Sequence, residues 1–250
     1  MVARRDQVTD PRIAADLLLA RRGSAYFSRK LNELSDEEYD GPSLLAGWQR
    51  RHVIAHVGYN ARALTRLTEW AATGVETPMY ASAAQRNEEI EYGSTLNVLA
   101  LRNLSDHAIV HLNVEWRDLP TDAWSNQVRT AQGRVVPVSE TAWMRAREVW
   151  LHAVDLDNGG RFEHFPPEFL DRLLADIAGN WAKRQKAEGI PSFVLEPSDR
   201  EESITVGEAS ETPVILRGTA ARLAQWASGR GTTGVLTADG DAAARAPRWI

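Results

Sequence analysis

Two short pairs of residues in the 250-residue sequence carry side chains that commonly bind metals in proteins. His52 and His56 are four residues apart, and Glu148 and His152 repeat that spacing later in the chain. A spacing of four places both members of a pair on one face of a helix, one turn apart. Two imidazoles and a carboxylate, with one open position, are the ligand types of a catalytic zinc site. We therefore predict a site for Zn²⁺ or another divalent metal at His56, Glu148 and His152.

The choice of His56 over His52 depends on their surroundings in the sequence. His56 lies within an apolar stripe, whereas His52 follows two arginines near the start of its segment. His52 is a reserve ligand, and a fourth protein ligand would favour a structural metal over a catalytic one. His107 and His111 repeat the same spacing, and we interpret them as part of a solvent-exposed helix face.

Arg230 stands between two glycines near the C-terminal end of the sequence. A guanidinium on such a turn could bind a carboxylate through two parallel hydrogen bonds. The alternative is a helix C-cap glycine beside a solvated arginine, and the spacing by itself favours this alternative. Both interpretations stay open from the residues alone.

The two candidate metal-binding pairs fall on segments whose apolar residues recur with helical spacing. Long helices are predicted from Pro11 to about Leu34, from Gln49 to Thr73, from Ser82 to Leu119 with an interruption after Tyr92, and from Ser139 to about Asp157. Four long helices with short connections predict an antiparallel bundle for residues 1–160. The segment between the third and fourth helices, at residues 127–138, fits either a short hairpin or an irregular excursion.

Beyond residue 160 the pattern changes to helices mixed with short strands. Helices are predicted from Pro166 to about Lys186 and from Ala220 to Ser228, and strands at Ser192–Leu195, Ser203–Val206, Pro213–Arg217 and Gly234–Thr237. Residues 161–250 are therefore predicted to form a small α+β domain. The predicted fold class is α+β, with an N-terminal four-helix bundle followed by this small C-terminal domain.

Composition excludes several classes of function. The net charge is −5, with no block of like charges, which disfavours nucleic-acid binding. The sequence shows neither an apolar run long enough for a membrane helix nor a signal peptide, so we expect a cytoplasmic protein without membrane contact. The cysteine count is 0, which removes disulfides, thiolate metal ligands and a cysteine nucleophile. Any thiol chemistry would need a thiol from outside the chain.

Six short motifs, spread over nearly the whole chain, together resemble one known family. They are Gly47–Arg50 leading into His52–Val57, Thr77–Tyr80, Gln132–Arg134, Trp143–Arg145 leading into Glu148–Asp155, Ser228–Gly231 and Pro247–Trp249. The chain is similar in these motifs to the mycothiol-dependent maleylpyruvate isomerases. The resemblance implies a DinB-like bundle with a small α+β domain, a metal at His56, Glu148 and His152, and a role for Arg230 in catalysis and cofactor binding.

The function implied by this resemblance is the cis–trans isomerisation of maleylpyruvate to fumarylpyruvate in gentisate degradation. Mycothiol would supply the missing thiol, and the metal would favour its nucleophilic thiolate form. Addition to the double bond, rotation and elimination would then give the trans product, with Arg230 holding negative charge on the substrate. Two alternatives remain: a mycothiol S-transferase acting on another electrophile, and a non-catalytic binding protein stabilised by its metal.

Overall fold

The computed structural model describes residues 5–208 and 212–249, which form two compact units. The units are Met1–Gly160, which is mainly helical, and Arg161–Ile250, which mixes helices with a sheet. The predicted α+β fold class is therefore confirmed. Within the described ranges, no helix combines the length and the apolar character needed to cross a membrane.

A four-helix bundle forms the centre of the first unit. The helices described in this unit are α1 (Pro11–Asn32), α2 (Arg50–Thr73), α3 (Ala83–Ser94), α4 (Val98–Asp118) and α5 (Glu140–Asp155). α1 packs against α5, and α2 packs against both α4 and α5. α3 lies against α2. The bundle thus consists of α1, α2, α4 and α5, and α3 is an addition to it.

The helix α2 is largely buried, and its ends are set by local hydrogen bonds. At its start, Nδ1 of His52 accepts a hydrogen bond from the backbone N–H of Gln49 at 3.2 Å. At its end, Gly74 adopts a left-handed conformation with φ of 74°, which glycine tolerates without steric cost. Between these ends, most side chains from Val53 to Ala71 are buried. Such a helix can hold a polar side chain inside the bundle.

The segment predicted as one interrupted helix over residues 82–119 forms two separate helices instead. α3 ends at Ser94, and α4 begins at Val98. Asn97 accounts for the break, because its side chain accepts a hydrogen bond from the backbone N–H of Ala100 and so caps a new helix. The two pieces are therefore separate helices, and α4 is the one that belongs to the four-helix bundle.

A short hairpin, one of the two forms predicted for this segment, connects α4 to α5. Its strands are β1 (Gln127–Arg129) and β2 (Val135–Pro137), which pair antiparallel. Gly133, with φ of 80°, occupies the turn between them.

In the described part of the second unit, a mixed four-stranded sheet is accompanied by a 22-residue and an 8-residue α-helix. The elements of this unit are α6 (Pro167–Glu188), β3 (Phe193–Pro197), β4 (Ile204–Val206), β5 (Val214–Gly218), α7 (Ala220–Ala227) and β6 (Leu236–Thr237). The strand order is β4-β3-β5-β6, and β3 pairs with β5 in parallel. Trp181, Phe193 and Trp226 form an aromatic cluster with ring centroids 5.6 Å apart. This cluster joins both helices to the sheet.

Candidate metal centre

Three side chains predicted as metal ligands meet between α2 and α5. Nε2 of His56 lies 2.8 Å from Oε2 of Glu148, and Nε2 of His152 lies 3.1 Å from the same oxygen. The ligand atoms of these three residues all lie within 4.8 Å of one another. Ligands of a tetrahedral zinc with bonds of about 2.0–2.1 Å lie about 3.3 Å apart, so small outward movements would open room for the ion. Two imidazoles and one carboxylate therefore fit zinc both in type and in spacing.

The helix α5 is anchored to α2 next to these three side chains. Arg145 lies three residues before Glu148 and is 1% exposed. Its guanidinium donates hydrogen bonds to the backbone oxygen of Val57 at 2.7 Å and to Oδ1 of Asn60 at 2.9 Å. Burial lowers the pKa of Arg145 to about 10. Because Val57 directly follows His56, this anchor fixes α5 to α2 close to the point where the ligands meet.

Asp155 orients His152 from behind, and sequence reasoning did not assign it a role. Its Oδ2 lies 2.8 Å from Nδ1 of His152, and its side chain is 0% exposed. A carboxylate in this position keeps a proton on Nδ1 and leaves Nε2 for the metal. The sequence did offer a signal for this role. Asp155 follows the candidate ligand His152 by three residues, so both side chains lie on one face of α5, about one turn apart.

Burial and mutual contact shift the pKa values of all three clustered side chains. Burial opposes charge on all of them, yet the two histidines keep the pKa of Glu148 well below its usual range. Burial also lowers the pKa of His56. For His152 the effect of burial is outweighed by hydrogen bonds to Asp155 and Glu148, which raise its pKa to about 9. Burial thus favours the neutral form of His56, whereas the neighbouring carboxylates favour the charged form of His152.

Three further side chains from different parts of the first unit surround this centre. The ring of Trp48 lies 5.6 Å from that of His56, centroid to centroid. Nη2 of Arg86, on α3, lies 3.3 Å from Nδ1 of His56. Burial and the charge of Glu148 raise the pKa of Tyr80 to about 12. Sequence reasoning assigned no role to these residues, because each reaches the centre from a different helix or loop.

The reserve ligand His52 is placed at the start of α2 and does not join the three clustered side chains. Its Nδ1 accepts from the backbone of Gln49, and its Nε2 lies 3.7 Å from Glu91. His107 and His111 are both exposed on α4, as interpreted from the sequence. His111 lies near two glutamates of the bundle surface, with its Nε2 3.5 Å from Glu115. His56 is therefore buried at the candidate centre, whereas His107 and His111 lie on the exposed face of α4.

Arg230 lies in the second unit, in the turn that follows α7. Its neighbours Gly229 and Gly231 have φ of 78° and 123°, values that favour glycine at both positions. Nη1 of Arg230 donates a hydrogen bond to the backbone oxygen of Ser228 at 3.0 Å. The turn therefore holds this guanidinium close to its own backbone.

Comparisons with known proteins agree with the resemblance seen in the motifs. Residues 20–157 match the family described as the mycothiol maleylpyruvate isomerase N-terminal domain, and residues 164–247 match the MDMPI C-terminal domain. A crystal structure of the mycothiol-dependent maleylpyruvate isomerase is similar, with a TM-score of 0.88 and 45% identity over 95% of this chain and 97% of that chain. A histidine-to-alanine mutant of such an isomerase gives the same values.

Comparison with the curated proteins found no match. The two family matches nevertheless cover most of the chain, and the structural match extends over both units. This protein belongs to the mycothiol maleylpyruvate isomerase family.

Proposed function

We propose that the protein isomerises maleylpyruvate to fumarylpyruvate and uses mycothiol as its thiol cofactor. The observation that carries this proposal is the cluster of His56, Glu148 and His152 in a chain 45% identical to a mycothiol-dependent maleylpyruvate isomerase. The cysteine count of 0 supports it, because a thiol-dependent reaction then requires a thiol from outside the chain.

The donor set of the centre supports a divalent metal, with Zn²⁺ as our first choice. His56 and His152 would each bind through Nε2 and Glu148 through its carboxylate, which leaves one position open. The chemistry that such a metal supplies is to favour the thiolate over the thiol at neutral pH. Asp155 would hold His152 in the correct tautomer throughout.

The chemistry expected of the thiol is reversible addition to the cis double bond of the substrate. Rotation about the resulting single bond, followed by elimination, gives the trans alkene and returns the thiol. Addition places an additional negative charge on the conjugated carbonyl group, so cationic groups near the substrate should stabilise the transition state. The protein's task is therefore to orient a dianionic substrate and to stabilise this added charge.

We assign Arg230 to this cationic role and to contact with mycothiol. The glycine-flanked turn supports the assignment, because it holds the guanidinium in a defined backbone setting. Arginine also matches a carboxylate with two parallel hydrogen bonds. We expect Arg230→Ala to lower kcat/KM by at least tenfold and to leave the zinc content unchanged. Full activity with normal zinc would remove Arg230 from the mechanism.

The central test follows the ultraviolet spectrum of maleylpyruvate mixed with zinc-loaded protein. We expect conversion to fumarylpyruvate with mycothiol, and none without a thiol or with glutathione in its place. Accumulation of a stable mycothiol adduct would instead indicate an S-transferase. Zinc binding without any reaction of the thiol would indicate a binding protein.

Two histidine variants test whether the isomerase activity requires the candidate metal centre. We expect His56→Ala to lose both zinc and activity, because it removes a buried ligand. His107→Ala is the control, because it removes an exposed histidine from α4 of the same bundle. It should retain both zinc content and rate. An active, zinc-free His56→Ala protein would exclude the metal from the reaction.

A further inference from the structure

The two histidines of the metal centre differ in what their second ring nitrogen contacts. Nδ1 of His152 faces the carboxylate of Asp155 at 2.8 Å, which is the usual arrangement behind a metal-binding histidine. Nδ1 of His56 instead faces Nη2 of Arg86 at 3.3 Å. A guanidinium can only donate hydrogen bonds. Arg86 therefore occupies a place where a hydrogen-bond acceptor is expected.

This contact fixes the position of the proton on His56. Nδ1 must accept the hydrogen bond from Arg86, so the ring proton is on Nε2, where it is donated to Glu148 at 2.8 Å. A neutral histidine that binds a metal through Nε2 must carry its proton on Nδ1. The N–H groups of His56 and Arg86 would then point at each other. The hydrogen bond to Arg86 and metal binding by His56 thus exclude one another.

The guanidinium of Arg86 is not engaged in an ion pair that would explain its position. Within residues 5–208 and 212–249, no carboxylate oxygen lies within ion-pair distance of it, and its Nη1 donates a hydrogen bond to Oδ1 of Asn87 at 3.2 Å. By contrast, Arg51 and Arg66 of α2 are paired with Asp40 and Glu89 at 2.6 and 3.8 Å. Arg86 is also only partly buried, so it can turn outward without disrupting the core.

We propose that metal loading releases Arg86 from His56, and that the freed guanidinium then binds a carboxylate of the substrate beside the metal. The proposal rests on the proposed function for the identity of that substrate, an unsaturated dicarboxylate. Arginine suits the role because its planar fork matches a carboxylate. It would give the first unit a cation of its own at the reacting centre. Before metal loading, the guanidinium of Arg86 would stay on His56 and would not be available to the substrate.

The test compares Arg86→Met with Arg62→Met in the full-length protein. Methionine keeps much of the length of arginine but donates no hydrogen bond. Arg62 is an exposed residue of α2 whose guanidinium lies over the ring of Tyr59, so its removal changes the net charge equally. Competition with a coloured chelator measures zinc affinity, and calorimetry measures the binding of maleate, a stable cis-dicarboxylate, to the zinc-loaded protein.

We expect Arg86→Met to bind zinc about five- to tenfold more tightly, because a competing hydrogen bond is gone. The same variant should bind maleate about 10- to 100-fold more weakly, because a charge-assisted hydrogen bond is lost. Arg62→Met should stay within about twofold of the parent protein in both measurements. Nitrogen NMR of the His56 ring should show the proton on Nε2 without zinc and on Nδ1 with zinc.

Two results would overturn the proposal, and neither depends on turnover. Unchanged zinc affinity in Arg86→Met would show that the metal does not displace Arg86. Unchanged maleate affinity would show that Arg86 does not bind the carboxylate. If both shifts appear but maleylpyruvate is not converted, the proposed reaction is wrong while the role of Arg86 stands.

Discussion

Among the single residues, Asp155 is expected to support the candidate metal centre although it is not one of the three candidate ligands. Asp155 is buried behind His152, and its Oδ2 lies 2.8 Å from Nδ1 of that ring. We expect Asp155→Asn to weaken zinc binding by about 10- to 100-fold, because the amide no longer holds the charge and tautomer of the ring. Chelator competition measures the change. The control is Asp157→Asn, an exposed position with φ of 51°, a conformation that asparagine tolerates. Equal losses in both variants would argue against a role for Asp155 in orienting His152.

His152 also predicts how the stability of the zinc-free protein changes with pH. Its pKa is raised from the ordinary value of 6.5 to about 9, because Asp155 and Glu148 outweigh the effect of burial. A raised pKa stabilises the folded state fully below the unfolded value, and this contribution is lost as pH rises through the folded value. We therefore expect chelator-treated protein to lose on the order of 3 kcal/mol at most between pH 6.5 and 9. Urea unfolding across this range measures it, and Asp155→Asn should flatten the slope.

The same residues show where sequence reasoning succeeds and where it stops. Glu148 and His152 are four apart on one helix, so their spacing reveals a shared face. Asp155 carries the same kind of signal at a spacing of three, and it could have been found. Arg86 could not, because it reaches His56 from a separate helix, and no spacing along the chain encodes that approach.

At the scale of the elements, the position of α5 depends on close packing against α1. A Cβ added at Gly23 of α1 would lie 2.6 Å from Cγ2 of Val149 and 2.7 Å from Nε1 of Trp150. We expect Gly23→Ala to destabilise the protein by about 1–3 kcal/mol through overpacking. Because Val149 and Trp150 lie between Glu148 and His152, the two candidate ligands of α5, we expect zinc affinity to fall as well. Thermal unfolding and chelator competition test both effects.

At a second helical glycine, Gly179, we expect substitution by alanine to raise the stability of the protein instead of lowering it. Gly179 lies within α6, and a Cβ added there meets nothing within 4 Å. Gly179→Ala should stabilise the protein by about 0.5–1 kcal/mol, because alanine loses less backbone entropy in a helix. If both alanine substitutions changed stability in the same direction, packing between α1 and α5 would not explain the result at Gly23.

The presence of the helices was easier to predict than the boundaries between them. Apolar periodicity indicated α2 and α5 closely, since both bury one continuous stripe. An interruption after Tyr92 was predicted, but the two pieces were assigned to one helix rather than to the separate helices α3 and α4. The side chain of Asn97 caps the start of α4 and so separates it from α3. A single capping residue is difficult to recognise in a sequence when the segments on both sides of it are predicted to be helical.

At the scale of the whole molecule, the fold class followed from a change of pattern along the chain. Long helical stripes fill the first unit, and short alternating segments fill much of the second. The length and apolar content of each part were enough to predict a bundle and a mixed sheet. The parallel pairing of β3 with β5 was not predictable, because a pairing between strands separated by another strand leaves no local signal.

Zinc should stabilise the first unit, which contains all three candidate ligands. A ligand that binds only the folded state adds about 2.7 kcal/mol when its free concentration is 100 times Kd. For a unit of this size, such a gain corresponds to roughly a 5–10 °C rise in Tm. Calorimetry of the full chain, first with chelator and then with added zinc, measures the shift. His56→Ala should unfold at the same temperature under both conditions, since it lacks a buried ligand, whereas His107→Ala should respond as the parent protein does. A zinc response retained in His56→Ala would place the stabilising metal somewhere other than between α2 and α5.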